Sequence, residues 1–483
     1  MQSDKIKNKK FLRILAILFV AIMSGGIMLD SFRPMPPGTE IHSGFTSVDR
    51  IEFLHDLTFA RSGKIIHEQQ IFNHVIKEIN KAQNFILIDM FLFNSDYDRK
   101  NSYPKLSEQL LRSLIDKHRQ APNVKIYVIT DEINDFYGSY NASSLAQLRK
   151  AGIAVIVTDS RKLRDSNPVW SVIWRSCFQW FGTQGKGWLG NPLSPDAPKV
   201  TLRSYLKMLN FKANHRKVLV TENCAIVQSA NPHDASGYHS NTALLVSGKL
   251  QQNIIESERK IAAFSGFTIP ELTRLPSTAQ TTAVDTFPAQ AEYLSEGMIK
   301  QALLKSIAAI NKDGQIDIGM FYLSDRDVIH SLLDASARGA HIRLILDANK
   351  DAFGRKKNGI PNRCTADELL QKSHGKIKIR WYDTHGEQFH AKFVMLAHDN
   401  QFEIFTGSCN LTRRNMDNFN LESDIHAIAA ADSDLAKKSR TWYNRIWNNT
   451  DGQYTVSYAA LGSSGKTNYL LYRFMEWSGL CTF

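Results

Sequence analysis

Cysteine is scarce in this chain: Cys177, Cys224, Cys364, Cys409 and Cys481 are the only five in 483 residues, and no two form a CxxC pair. That spacing excludes a disulfide framework and a cysteine-based metal site. Acid is also in deficit. Forty-seven Asp+Glu face 59 Lys+Arg, which leaves a net charge of +12. A basic surface favours anionic partners: nucleic acid, acidic phospholipid or a phosphate ester. Long apolar runs are nearly absent, which excludes a multi-span membrane protein. The apolar fraction of 43% and charged fraction of 22% exclude a wholly disordered one. At about 150 residues per domain, the length predicts two or three domains.

The one long apolar run is Phe11 to Leu29, interrupted by Arg13 and preceded by Lys5, Lys7, Lys9 and Lys10. At helical rise it is just long enough for a hydrocarbon core of about 30 Å. It predicts a single N-terminal transmembrane helix, with the lysines in the cytoplasm and the rest of the chain outside it. The alternative is a cleaved signal peptide with Ser24 and Gly26 at the cleavage site, which would make the protein secreted. Arg33-Pro-Met-Pro-Pro-Gly38 reads as a stiff linker. Residues 1–45 are therefore assigned to anchor and linker.

Beyond the linker the chain repeats itself. An amphipathic helical stretch precedes the apolar strand Phe85–Phe93. A helix near Leu106–His118, the strand Val124–Thr130, a helix at Leu145–Lys150 and the strand Ala154–Val157 come next. The same order returns as a helix over Met298–Asn311, the strand Ile316–Tyr322, a helix over Val328–Ala337, the strand Ile342–Leu346, a helix near Asp367–Lys372 and the strand Ile377–Trp381. Met90-Phe91 corresponds to Met320-Phe321. Alternating helix and strand predict α/β sandwich halves, and a period near 200 residues is a duplicated domain rather than a solenoid. The halves are placed at 46–270 and 271–483.

Matching chemistry sits in both. The first half has His215-Arg-Lys217 on an apolar strand, then Ser229-Ala-Asn231. The second has His390-Ala-Lys392, then Ser408-Cys-Asn410. Period-2 alternation puts each His and Lys on one face of its strand. One His-x-Lys is almost worthless as a signal. Two, each followed by an Asn 16 or 20 residues on, are not. Two imidazoles can serve phosphodiester cleavage as nucleophile and acid. Two ammoniums and two amides can hold the non-bridging oxygens, so neither a metal nor a cofactor is expected.

This constellation resembles the phospholipase D superfamily, whose mark is a duplicated His-x-Lys-x4-Asp motif, over residues from about 65 to 450. The resemblance implies two halves related by a pseudo-two-fold axis, with both motifs lining one site. His215, Lys217 and Asn231 would come from the first half, and His390, Lys392, Ser408 and Asn410 from the second. It also implies a phosphohistidine intermediate, with His215 as nucleophile and His390 as acid. The chain departs from the pattern in places. The motif's carboxylate is Glu222 in the first half, a substitute that could contact substrate. In the second half that position is Ala397, with Asp399 two residues later. The family's downstream acid, which orients a histidine, is matched by Glu422 in Asn420-Leu-Glu422. The first-half counterpart, Asn241-Thr-Ala243, has Ala there. On that reading His390 has a carboxylate partner, whereas His215 has to rely on Asn241 or a backbone carbonyl.

An insertion without counterpart in the second half runs from about Arg161 to Lys212. It holds Trp170, Trp174, Phe178, Trp180, Phe181 and Trp188. Its Trp-rich stretch Val169–Phe181 suits a membrane-surface helix or a lid over a lipid chain, with Trp174 facing substrate, as well as it suits a helix packed on the domain. Together these features predict a membrane-anchored phospholipid phosphodiesterase or phosphatidyltransferase, similar to bacterial phospholipase D and cardiolipin synthase relatives. Ser229, Ser408, Glu222 and Trp174 are expected near substrate, and the catalytic unit is expected to be monomeric. Two alternatives remain: an exported, metal-independent nuclease of the same superfamily, and an inactive scaffold that binds anionic lipid.

Overall fold

The alternation of helical and extended periods is realised in a computed structural model, which describes residues 2–272, 289–352 and 355–483. Fifteen strands form one mixed sheet. They are β1 (Thr46–His55), β2 (Phe85–Met90), β3 (Lys125–Thr130), β4 (Ala154–Val157), β5 (Lys217–Thr221), β6 (Ala225–Gln228), β7 (Thr242–Gly248) and β8 (Gln290–Ser295), then β9 (Gln315–Met320), β10 (His341–Asp347), β11 (Lys378–Tyr382), β12 (Lys392–His398), β13 (Gln401–Gly407), β14 (Ser423–Ala430) and β15 (Thr455–Ser457). Their spatial order is β15-β11-β10-β9-β12-β13-β14-β8-β1-β7-β6-β5-β2-β3-β4.

Outward from the central pair β1/β8, the order is the same in both directions, apart from the extra β15. Strands β2, β3 and β4 are parallel, as are β9, β10 and β11. The motif strands β5 and β12 pair antiparallel to β2 and β9.

Alternating side chains decide how the layers stack. Val218, Val220, Val227 and Leu244 enter one core with Phe393, Met395, Ile404 and Ile425, so the inner faces of the two half-sheets share it. The intervening residues point outward, beneath helices. Ile86, Ile88 and Leu219 meet Val75, Ile79, Leu110 and Leu114 of the helices Ile71–Lys81 and Leu106–Gln120. Ile316, Ile318 and Val394 meet Leu303, Ile307, Val328 and Leu332 of Gly297–Ala309 and Arg326–Arg338. Local chemistry sets the helix ends. The Asp325 carboxylate accepts the Asp327 and Val328 amides, both at 3.0 Å, and Gly339 closes that helix at φ 99°.

The N-terminal run, read from sequence as a membrane span, is helical from Gln2 to Ser31. Among the described residues, no helix is long and apolar enough to cross a membrane. Arg13 interrupts the run, and its C-terminal end is docked on the insertion. A Cβ on Gly26 would meet Val172, and Asp30 lies 3.8 Å from Arg175. In the insertion, a short α-helix (Pro168–Ile173) leads through a π turn at Trp174–Phe178 into a 3₁₀ turn at Gln179–Phe181.

Candidate active site

His215 and Lys217 lie on the outward side of the chain entering β5. Arg216 and Val218, between and beyond them, turn to the other face. Arg216 is fully buried there. It donates to Ser257 Oγ at 2.8 Å, Glu258 Oε1 at 3.2 Å and Glu296 Oε1 at 2.6 Å. His390 and Lys392 repeat the arrangement at β12, with Ala391 in place of the arginine.

Each lysine Nζ donates to the carbonyl of its own histidine: Lys217 to His215, and Lys392 to His390 at 2.8 Å. Each lysine also lies 5.0 Å from an aromatic ring centroid, Phe91 for Lys217 and Phe321 for Lys392. The same rings sit 4.9 Å from the histidines. The matched pair Met90-Phe91 and Met320-Phe321 is the sequence signal for these two phenylalanines.

The orienting partners are crossed between the halves, contrary to the expectation that Glu422 serves His390. His215 Nδ1 donates to Glu422 Oε2 at 3.0 Å, whereas His390 Nδ1 donates to Asn241 Oδ1 at 3.2 Å. The physical reason is a parallel seam. Isolated bridges join Asn214 to Leu421 and Ser240 to Phe389, so each histidine segment runs beside the other half's loop. His215 N donates to Leu421 O at 2.9 Å, and Ser240 N donates to Gln388 O at 3.1 Å.

Ser408 Oγ and Asn415 Nδ2 also donate to the Glu422 carboxylate, and the Glu422 amide donates to Glu296 Oε1 at 3.2 Å. Opposite, Ser229 Oγ donates to Asn241 Oδ1 at 3.1 Å, and the Asn241 amide group donates to His239 O at 3.0 Å and Asp56 Oδ2 at 3.5 Å. Asp56 Oδ1 in turn accepts the Gln70 and Ile71 amides at the start of a helix. The equivalent of Glu422 is therefore Asn241, not Ala243, because Ser229 N meets Thr242 O as Ser408 N meets Ser423 O. Ala243 is core.

Asn231 and Asn410 are both buried beside their serines. Asn231 Oδ1 accepts the Leu92 amide at 3.4 Å, and Asn410 Oδ1 has no hydrogen-bond partner among the described residues. Two further carboxylates brace the entering strands. Asp131 Oδ2 accepts the Asn214 amide at 2.7 Å, and Asp347 Oδ2 accepts the Phe389 amide at 2.8 Å. Sequence reasoning misses Asp56, Asp131 and Asp347 as parts of this arrangement, because a single buried side chain carries no periodic signal.

Electrostatically the site is short of negative charge. Burial first, then Lys217 against the opposing pull of Glu422, holds His215 down at about 4. Burial, Lys392 and His239 push His390 well below its ordinary value. Burial brings Lys217 down to about 7, and burial together with Lys217 lowers Lys392 strongly. Burial alone would raise Glu422, but His215, Lys217 and the Ser408 hydroxyl outweigh it and hold the carboxyl below the usual range. The arrangement thus gathers two lysines and two histidines whose charged forms burial disfavours, beside one carboxylate that its neighbours keep ionised.

Two expected substrate contacts lie elsewhere. Glu222 is five residues beyond Lys217, about 16 Å along the strand at ~3.3 Å per residue. It accepts the Gln83 and Phe85 amides there. Trp174 is buried within the insertion. Arg414 is buried and donates to Ser166 Oγ and to the carbonyls of Phe211, Gly479 and Cys481. His233 and His239, in the loop after the first motif, are buried. Among the described residues, no group of three or more His, Cys, Asp or Glu is placed to hold a metal ion.

Residues 306–447 match a family model described as cardiolipin synthase, PLD-like domain. No curated protein matches the sequence. Among solved structures, phosphatidylserine synthase of Haemophilus influenzae Rd KW20 has the same fold. Its TM-score is 0.56 at 12% identity, over 92% of this chain and 96% of that one. Polyphosphate kinase from Porphyromonas gingivalis gives 0.45 at 12% identity, over 89% of this chain and 53% of that one. The phospholipase D family member Nuc from Salmonella typhimurium gives 0.25 at 17%, over 34% and 97%. The family model thus lies across the second His-x-Lys strand, and the fold shared with the Haemophilus synthase extends over nearly the whole chain.

Proposed function

We propose that this chain is a phospholipid phosphodiesterase or phosphatidyltransferase that works through a phosphohistidine on His215. The observation that carries the reading is the crossed pairing. The histidine with a buried, ionised carboxylate on Nδ1 is His215, and the histidine with a neutral amide there is His390. A carboxylate on Nδ1 orients a neutral imidazole and stabilises the positive charge that forms on the ring when Nε2 bonds to phosphorus. An amide orients the ring without holding a charge, which suits a group that gives its proton away.

In the first step, His215 Nε2 attacks phosphorus, the bond from phosphorus to the leaving alcohol breaks, and His390 Nε2–H protonates that oxygen. In the second step, water or another alcohol attacks phosphorus, its proton passes to His390, and the P–N bond breaks. Water gives phosphatidic acid, and an alcohol gives a new phosphodiester. Lys217, Lys392, Asn231 and Asn410 hold the non-bridging oxygens. Residues 46–270 and 271–483 act as two halves of one site, so one chain is the catalytic unit. The Haemophilus protein is a phosphatidylserine synthase and the matching family model is cardiolipin synthase-like, which supports a lipid substrate over nucleic acid.

The test incubates the full chain in detergent with phosphatidylglycerol, with and without chelator, and follows products by mass spectrometry. Cardiolipin with glycerol, or phosphatidic acid with glycerol, is expected, unaffected by chelator. His390→Ala and His215→Ala should each lose about 10³-fold or more. Turnover by His215→Ala equal to that of the unmutated chain would overturn the reading.

A further inference from the structure

We infer that the C-terminal helix, the Trp-rich insertion and the end of the N-terminal helix together form a docking face for the surface of an anionic phospholipid bilayer. The inference deepens the phospholipid reading and rests on it for the reason such a face exists.

The C-terminal helix, Lys466–Ser478, already uses one of its sides. Tyr472 and Glu476, four residues apart, are buried, and Tyr469 and Met475 pack with Tyr472 in a small aromatic core. A surface helix with one buried face normally shows polar residues on the other. This one shows Leu470, Phe474 and Trp477, at the four- and three-residue steps of a helical stripe, and Trp477 is 77% exposed. Phe474 and Trp477 touch at 6.2 Å between ring centroids.

The insertion behaves in the same way. Trp174 is buried on its inner side, whereas Trp180 at 74% and Phe181 at 67% exposure stand in solvent. The N-terminal helix ends nearby with Phe32 at 76%. These elements are joined to one another. A Cβ on Gly479, just after the C-terminal helix, would strike Ser166 O at the start of the insertion helix, and Gly26 abuts Val172 within that helix. Arg414 bonds the insertion, through Ser166 and Phe211, to the tail, through Gly479 and Cys481. Exposed aromatics gathered on elements that are packed together mark an interaction surface rather than ordinary solvent contact. Trp and Phe are suited to the apolar–polar boundary of a bilayer.

Two observations select a bilayer over another occupant. The same three elements carry exposed Lys10, Arg13, Lys186 and Lys466 on a chain of net charge +12, which complements anionic headgroups. The tail that follows the C-terminal helix also packs, ring on ring, up to the site. Phe483 of the tail meets Tyr322 at 6.2 Å, Tyr322 meets Phe321 at 4.0 Å, and Phe321 meets His390 at 4.9 Å.

The experiment uses the full chain with vesicles of phosphatidylglycerol and phosphatidylcholine. Binding is read by co-sedimentation and by quenching of Trp fluorescence with lipids brominated in the acyl chains. Beside it run the double variants Phe474→Ser/Trp477→Ser and Trp180→Ser/Phe181→Ser. Each pair should lose at least about tenfold in vesicle partition, the scale expected for two large apolar side chains that no longer enter the interface. Turnover of monomeric short-chain phosphatidylglycerol should stay within about twofold, which also shows that the variants are folded. Vesicle binding through these residues without turnover of any phospholipid would leave the docking face standing and remove the proposed activity. Turnover of monomeric lipid with no vesicle binding, or partition unchanged in both variants, would overturn the docking face. So would a dimer that forms without lipid and is lost in the same variants.

Discussion

The two histidines occupy equivalent positions and have unequal neighbours. Around His215, Glu422 collects donors from the ring, Ser408 and Asn415, and its own amide is tied to Glu296, which Arg216 holds in turn. Around His390, Asn241 collects donors from the ring and from Ser229, and its amide group reaches only as far as a carbonyl and the edge of Asp56. The backbone frame is duplicated, but the charge is not. A buried carboxylate is stable at Glu422 because its acceptor sites are filled and His215 and Lys217 lie near. At Asn241 the nearest carboxyl is Asp56, which burial raises to about 7 despite the two amides that cap onto it. The duplication thus supplies geometry to both sites and a carboxylate to one, and the division of labour proposed for the histidines rests on that difference.

The largest test of the comparison removes the charge but keeps the shape. Glu422→Gln should lower kcat about 10²–10³-fold on phosphatidylglycerol, because the positive charge that forms on His215 loses its counter-charge. Asn241→Ala should cost only about tenfold, the value of one orienting hydrogen bond. Steady-state kinetics on both variants, with thermal unfolding to confirm the fold, decides it. Equal losses would mean that the two partners do the same work.

This asymmetry is only half legible in the sequence. The duplicated His-x-Lys strands and nearly all flanking helices are read from apolar periodicity, a local property. Boundaries differ by a few residues, as for the helix expected at Asp367–Lys372 and found at Asn362–Lys372. Which loop faces which histidine is not local. Asn241-Thr-Ala243 and Asn420-Leu-Glu422 align by their letters, yet the seam and sheet register align Asn241 with Glu422, two residues out of step. The buried Arg216 pair with Glu258 and Glu296, and the Arg414 clamp on the tail, are equally invisible in sequence, since a charge has no period that reports its burial.

A smaller change converts one site toward the other. Asn241→Asp puts a carboxylate on His390 Nδ1. His390 now sits well below its ordinary value, so its acid form is scarce at neutral pH unless substrate supplies negative charge. A neighbouring carboxylate raises the pKa of an imidazole. The acid must be protonated in the first step, and the protonated fraction falls as pH rises through that pKa. The alkaline limb of kcat/KM should therefore move upward by about one pH unit. The acidic limb, set by the need for neutral His215 with its pKa of about 4, should stay where it is. A profile unchanged on both limbs would separate His390 from the acid role.

The smallest effect concerns the residue that the motif spacing places near substrate and the strand carries away. Glu222 lies at the far end of β5, where its two carboxylate oxygens accept the amides of Gln83 and Phe85 as the chain enters β2. Removing the side chain strips those amides of their acceptors, and the Phe85 amide lies in a buried segment. Glu222→Ala should therefore lower unfolding stability by about 1–2 kcal/mol, the cost of buried donors left unmade. A urea midpoint reads this directly. Turnover should stay within about twofold, because β5 keeps its pairing with β2 through Met90 and Lys217 at the other end. The comparison with Glu422→Gln is then sharp. One variant loses activity with its stability largely kept, and the other loses stability with its activity kept. A tenfold loss of turnover in Glu222→Ala, with the urea midpoint unmoved, would return this carboxylate to the site and require a substrate that spans the length of the strand.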